Sequence, residues 1–271
     1  MSEMPAVAVP LSVQVYTSSE PAGWSNSYPI SGKTDAVLFD VVQLRSEATK
    51  LAEMIAASGK TLTTIFISHA HPDHFMGLEV VTEHFPKAQF VSTSSVVQNI
   101  QKNGPGMLPM LQGRQGADGP QRLVVPDVLA SDNVTVEGTE LRVVEFGEGE
   151  SEHMATLYWP EAKALFCADL VYNQAHLYLL EKRLDRWIAQ LNTVKKFAEE
   201  NVVTLYPGHG SPVDLSEIAA TQAYLQDFAM AVQIGNAAEA EQKMLSQYPD
   251  YHLKWFLKIF SIQAYFPNST Q

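Results

Sequence analysis

The chain has 271 residues, 46% of them hydrophobic and 18% charged, and a formal net charge of −12. That length suits one large domain, or two small ones, with a well-buried core. An acidic surface repels phosphate backbones and anionic lipid, and no Lys/Arg cluster offsets it, so neither nucleic acid nor membrane is an expected partner. The lone cysteine, Cys167, leaves no intrachain disulfide and fits a reducing compartment, read here as the cytoplasm. Residues 1–16 have no basic start and no long apolar run, and Pro5 and Pro10 interrupt them, so no signal peptide is expected. No stretch approaches the roughly 20 apolar residues that a membrane helix needs.

In chain order, LSVQVY (11–16) reads as a short strand and DAVLFDVV (35–42) as a buried one. SEATKLAEMIAAS (46–58) reads as a helix with Ser46 as N-cap, Leu51, Met54 and Ile55 on one face, and Gly59 at its end. TLTTIFI (61–67) is β-branched and apolar, a buried strand that runs into SHAHPDH. Then come a helix (77–85), a strand (88–92) and a helix (94–102). Residues 103–122 are rich in Gly and Pro without a period, which predicts a long loop. Met107, Leu108, Met110 and Leu111 give it an apolar tip, suited to a lid or pocket wall, or equally to a packed surface loop. Strands follow at 133–138, 141–147, 153–159 and 164–169, then a helix near 185–200 with Asp185 as a cap, and a strand at 202–206 that leads into PGHG. From 214 the chain reads as helices, one of them capped by Asn236. The pattern is α/β: two β-rich halves, each trailed by helices, satisfied by two sheets packed face to face with helices outside. Residues 1–214 would form the catalytic domain and 215–271 a helical extension packed on it.

His69-Ala70-His71-Pro72-Asp73-His74 places three histidines and an aspartate within six residues at the end of a buried strand. Imidazole and carboxylate suit zinc, iron and manganese. His69 and His71 are two apart, so on an extended segment they point the same way. Asp73 and His74 fall where the chain turns into the next element, so one segment can feed two metals.

This segment resembles the HxHxDH signature of the metallo-β-lactamase superfamily, in the dinuclear branch that includes glyoxalase II-like thioesterases and acyl-homoserine lactonases. The resemblance covers roughly residues 11–214. It implies an αββα sandwich of two mixed sheets and three further ligands, supplied by His153, which opens the strand 153–159, Asp169 at a strand end and His209 in Pro207-Gly208-His209-Gly210. By the same resemblance His69, His71 and His153 hold one metal, Asp73, His74 and His209 the other, and Asp169 bridges them. Two divalent ions, zinc first and iron or manganese also suited, would then supply a metal-bound hydroxide that attacks a small ester, lactone or thioester. The approach to His153, Gly149-Glu150-Ser151-Glu152, is more acidic than the family's glycine- and proline-flanked pattern. Subclass B1 β-lactamases carry a cysteine at the position of Asp169, which argues against that activity.

Asp73 and Tyr172 are the catalytic candidates. Asp169-x-x-Tyr172 resembles the motif in which acyl-homoserine lactonases use a phenol on the substrate carbonyl. Asp40 resembles an aspartate that orients a ligand imidazole, and Ser68 could hydrogen-bond near the ligands. His176 would reach the same pocket if its segment were helical. His84, His252 and Cys167 read as structural. The alternatives are a β-lactamase-type amidase, an iron-containing oxidoreductase, a phosphodiesterase or nuclease, which the charge disfavours, and a non-catalytic binding protein. The partner is a small-molecule substrate, with monomer or homodimer left open.

Overall fold

A computed structural model describes residues 10–267; residues 1–9, part of the signal-peptide reading, and 268–271 lie outside the described residues. The strands form a seven-stranded and a five-stranded sheet, both mixed, accompanied by helices. The residues cluster into two compact units. One runs through Val144 and includes Ala155–Ala162; the other comprises Glu145–Met154 and the chain from Lys163 onward.

The first unit carries the seven-stranded sheet: β1 (Ser12–Val13), β2 (Tyr16–Thr17), β3 (Asn26–Ser31), β4 (Asp35–Phe39), β5 (Thr61–Phe66), β6 (Gln89–Ser92) and β7 (Asp127–Val128). β4, β5, β6 and β7 run parallel, and β1 and β2 pair antiparallel with β3. The expected strand 11–16 is thus two short ones, and β3 had no counterpart in the sequence reading. Helices α1 (Arg45–Ala57), α2 (Pro72–Phe75), α3 (Leu78–His84) and α4 (Ser94–Gln115) connect these strands. Of the second sheet the unit holds β8 (Asn133–Val136), all but the last residue of β9 (Thr139–Glu145), and β10 (Ala155–Trp159). The N-cap of α1 is Leu44, not Ser46, whose hydroxyl and amide both bond Asp118.

The expected loop at 103–122 is a correction: α4 continues as one helix to Gln115, followed by a 3-10 turn at Gly116–Asp118. Val97, Ile100, Gly104 and Leu111 are buried along it at helical spacing, and this period extends through the prolines. Pro105 and Pro109 are exposed and four residues apart, so their missing N–H groups fall on one solvent-facing stripe.

The second unit holds β11 (Ala164–Tyr172) and β12 (Thr204–His209), paired in parallel, with helices α5 (Leu184–Asn201), α6 (Ser216–Val232) and α7 (Ala237–Gln247). The last segment is α8 (Lys254–Phe256), a π-helical stretch (Leu257–Ile262) and α9 (Gln263–Tyr265). Asn236 caps α7 as expected, its side chain accepting from Glu239 N, whereas α5 starts after Arg183 with Asp185 in its first turn. α6 packs on β11 and α5. Among the described residues no helix is long and apolar enough to cross a membrane.

Candidate metal centre

In the first unit the site is built at the carboxyl ends of two adjacent parallel strands. Phe39 of β4 pairs in register with Phe66 of β5, so Asp40 and the segment from Ile67 leave the sheet side by side. Asp40 is fully buried and accepts three hydrogen bonds. These come from Ser68 N at 2.7 Å, from Ser68 Oγ at 2.6 Å, and from His74 Nδ1 at 2.9 Å. Burial pushes its carboxyl up, opposed by His74 and Ser68.

His71 caps α2, Pro72 opens it and Asp73 occupies its first turn. This places His74 one turn on, with Asp73 Oδ2 3.7 Å from His74 Nε2. The His69 ring lies 4.6 Å from that of His71 and 4.4 Å from that of His74. His69 Nδ1 faces Ser68 Oγ at 2.8 Å. A ligand atom each of Asp40, His69 and His74 lies within 4.8 Å of the others. Of these, Asp40 is taken up in fixing Ser68 and His74. With each Nδ1 of His69 and His74 turned to an oxygen, Nε2 is the nitrogen presented for a cation. This donor set therefore fits a divalent metal of the zinc type.

In the second unit Asp169, Tyr172 and His209 come together on β11 and β12. Register shifts flank Ala168, which has φ 45°, so a bulge turns the strand just before Asp169. β11 continues to Tyr172: Asp169 sits inside the strand rather than at its end. The same bulge interrupts the alternation that would put Cys167 on the face of Asp169. Cys167 is buried, its thiol lies 3.4 Å from Tyr206 O, and burial raises its pKa, which makes it structural.

Tyr172 Oη donates to Asp169 Oδ2 at 2.5 Å. His209 Nε2 is 3.4 Å from the same oxygen, and the Tyr172 ring stacks on His209 at 4.5 Å. Tyr172 and His209 are register partners. Gly210 follows at φ 87°, and a Cβ there would lie 2.1 Å from Asn173 O, so only glycine lets the chain turn after His209. Phe256 meets His209 edge-on at 5.8 Å and begins a cluster with Trp255, Phe260 and Tyr178.

His153 does not open a strand; it lies two residues before β10 in an irregular loop and is half-buried. The segment after Tyr172 is not helical, so His176 is placed by an extended stretch instead. It is buried, its Nδ1 is 2.8 Å from Tyr224 Oη, and burial lowers its pKa to about 4. His84 ends α3 with Nδ1 on Val80 O, and His252 is exposed with its backbone bridged to Ala175. The sequence reading passed over Glu150, which is buried; the acidic approach to His153 was its only signal.

With this geometry, the chain's class follows from comparison with known proteins. The family model of the Metallo-beta-lactamase superfamily matches residues 22–209. The chain belongs to that superfamily. Among solved structures it resembles a metallo-beta-lactamase from Pontibacter korlensis, with 19% identity, 81% of this chain and 96% of that one covered, and a TM-score of 0.63. It also resembles the DIM-1 metallo-beta-lactamase, with 18% identity, 80% and 92% covered, and a TM-score of 0.60. VMB-1 is similar at 21% identity, 81% and 93% covered, and a TM-score of 0.60. At these identities the likeness is one of fold. No curated protein sequence matches the chain.

Proposed function

We propose that the chain is a dinuclear metal-dependent hydrolase of a small ester, lactone or thioester. Asp73, His74 and His209 hold one metal; His69, His71 and a residue of the 145–154 loop, where the family resemblance implies His153, hold the other; Asp169 serves both. Zinc is the first expectation for this nitrogen and oxygen donor set. When bound, such a metal pair lowers the pKa of a coordinated water toward 7 and polarises a carbonyl.

The observation that carries this reading is the Asp169–Tyr172 pair. A carboxylate stands where a thiolate would mark a subclass B1 enzyme, and a phenol donates to it at 2.5 Å. Tyr172 holds that carboxylate in one orientation. That hydroxyl carries one proton, so it donates to a substrate oxygen that gains charge beside Asp169 only by turning from the carboxylate once a metal holds it. Asp40 and Ser68 do the corresponding work for His74 and His69, locking the imidazoles before substrate arrives. A second reading, hydrolysis of a β-lactam amide, is favoured by the solved neighbours, which are described as metallo-β-lactamases.

The test is a panel of lactones, thioesters, β-lactams and phosphodiesters on metal-loaded protein, with metal content measured by elemental analysis. Turnover of an ester, lactone or thioester with close to two equivalents of metal is expected. Fastest turnover on β-lactams would put the second reading in its place. One equivalent or fewer after full reconstitution sinks the dinuclear assignment.

A further inference from the structure

The geometry points to Glu150, in place of His153, as the metal ligand supplied by the loop between β9 and β10; this rests on the dinuclear reading above. The loop is clamped so that one of its three glutamates is driven below the surface. Gln190 of α5 donates from Nε2 to Gly147 O at 2.7 Å. A Cβ on Gly149 would fall 1.7 Å from Gln190 Oε1, so the backbone passes where only glycine fits. Gly149 N also donates to Ser151 O at 3.1 Å, which tightens the turn around Glu150.

The glutamates on either side have different fates. Glu148 is exposed and bound by Arg183 at 3.1 Å and by Arg186. Glu152 is half-buried. Glu150 is 2% exposed, and one of its carboxylate oxygens lies within 4.8 Å of one of Asp169. Asp169 is itself 1% exposed.

Two carboxylates this close, both out of water, repel each other strongly. They persist as a pair when a cation sits between them or when they share a proton. Asp169 already accepts a hydrogen bond from Tyr172 and has the imidazole of His209 3.4 Å away. That is a metal-binding company, and a glutamate oxygen is as good a zinc donor as an imidazole nitrogen. His153, three residues on, is half-buried, and its backbone carbonyl accepts from Ser151 Oγ at 3.0 Å, a bond that holds the loop.

The experiment measures metal stoichiometry and chelator-competition affinity, not turnover. It compares the wild-type chain with Glu150→Gln, Glu150→His and His153→Gln, after apo protein is reloaded with zinc. Glu150→Gln should lose about one equivalent of zinc, or weaken the weaker site by at least a hundredfold. Glu150→His replaces one donor by another and should keep both metals, which separates ligation from folding. His153→Gln should bind within about threefold of wild type. If Glu150→Gln keeps two zinc ions at unchanged affinity, the carboxylates are a proton-sharing pair and the inference is overturned, with the dinuclear reading intact. If His153→Gln is the variant that loses zinc, His153 is the ligand and the inference is likewise overturned. A wild-type chain that takes up no metal overturns both.

Discussion

Asp40 has φ 59°, in the left-handed region that costs most residues roughly 1–2 kcal/mol. Its side chain explains why it stays there: the turn lets one buried carboxylate reach Ser68 and His74 together. Asp40→Ala should therefore weaken metal binding by about 10–100-fold while leaving every proposed ligand in place. Chelator competition would measure this, and unchanged affinity would show that the imidazoles need no such support. His176 offers a pH signature. Its folded pKa of about 4 lies below the unfolded value near 6.5. Between those values the unfolded chain binds a proton that the native one does not. Stability is thus full above about pH 6.5 and falls as pH drops toward 4, by on the order of 3 kcal/mol at most. His176→Phe should flatten this part of the profile. Urea melts at pH 7 and pH 4.5, in a matched metal state, test it; equal slopes for the two proteins would assign the acid sensitivity to other groups.

At the scale of elements, the two largest departures from the sequence reading both involve proline. β3 contains Pro29 within NSYPIS, a composition that reads as a turn. The strand forms because its neighbour is interrupted: β1 pairs with residues 30–31 and β2 with 26–27, which leaves Pro29 opposite the break. There Gln14 N donates to Pro29 O and no N–H is demanded of the proline. In α4 the cost falls on the solvent face. Pro109 deprives the helix of one backbone bond and crowds the preceding turn. Pro109→Ala should accordingly stabilise the chain by on the order of 1–3 kcal/mol, read from denaturant unfolding. A loss of stability would mean that the proline's restriction of the unfolded chain outweighs the missing bond.

At the scale of the whole molecule, the C-terminal helices bear on whether residues 1–214 can stand alone. Ile218, Tyr224, Leu225, Phe228 and Ala231 of α6 are all buried, and α6 packs on β11 and α5. At about 1.5–3 kcal/mol for each large side chain, that face contributes as much as the net stability of an ordinary domain. Ending the chain after Asp214 should abolish cooperative unfolding and soluble yield; a truncated protein that melts sharply would establish an independent catalytic domain. The sequence by itself determined the class of fold and most of the donor set. HAHPDH behind a β-branched strand is a local pattern, and strand periodicity reports a buried sheet wherever it is written. It did not determine which donors are driven inward. Whether Glu150 or His153 faces the interior depends on Gln190, some 40 residues away, closing on Gly149. The position of Asp169 depends on a bulge at Ala168 that no period announces, and the Asp40–His74 bond on two strands ending in register. Those choices are made by packing between distant segments, and burial, rather than residue type, decides which carboxylate meets a cation.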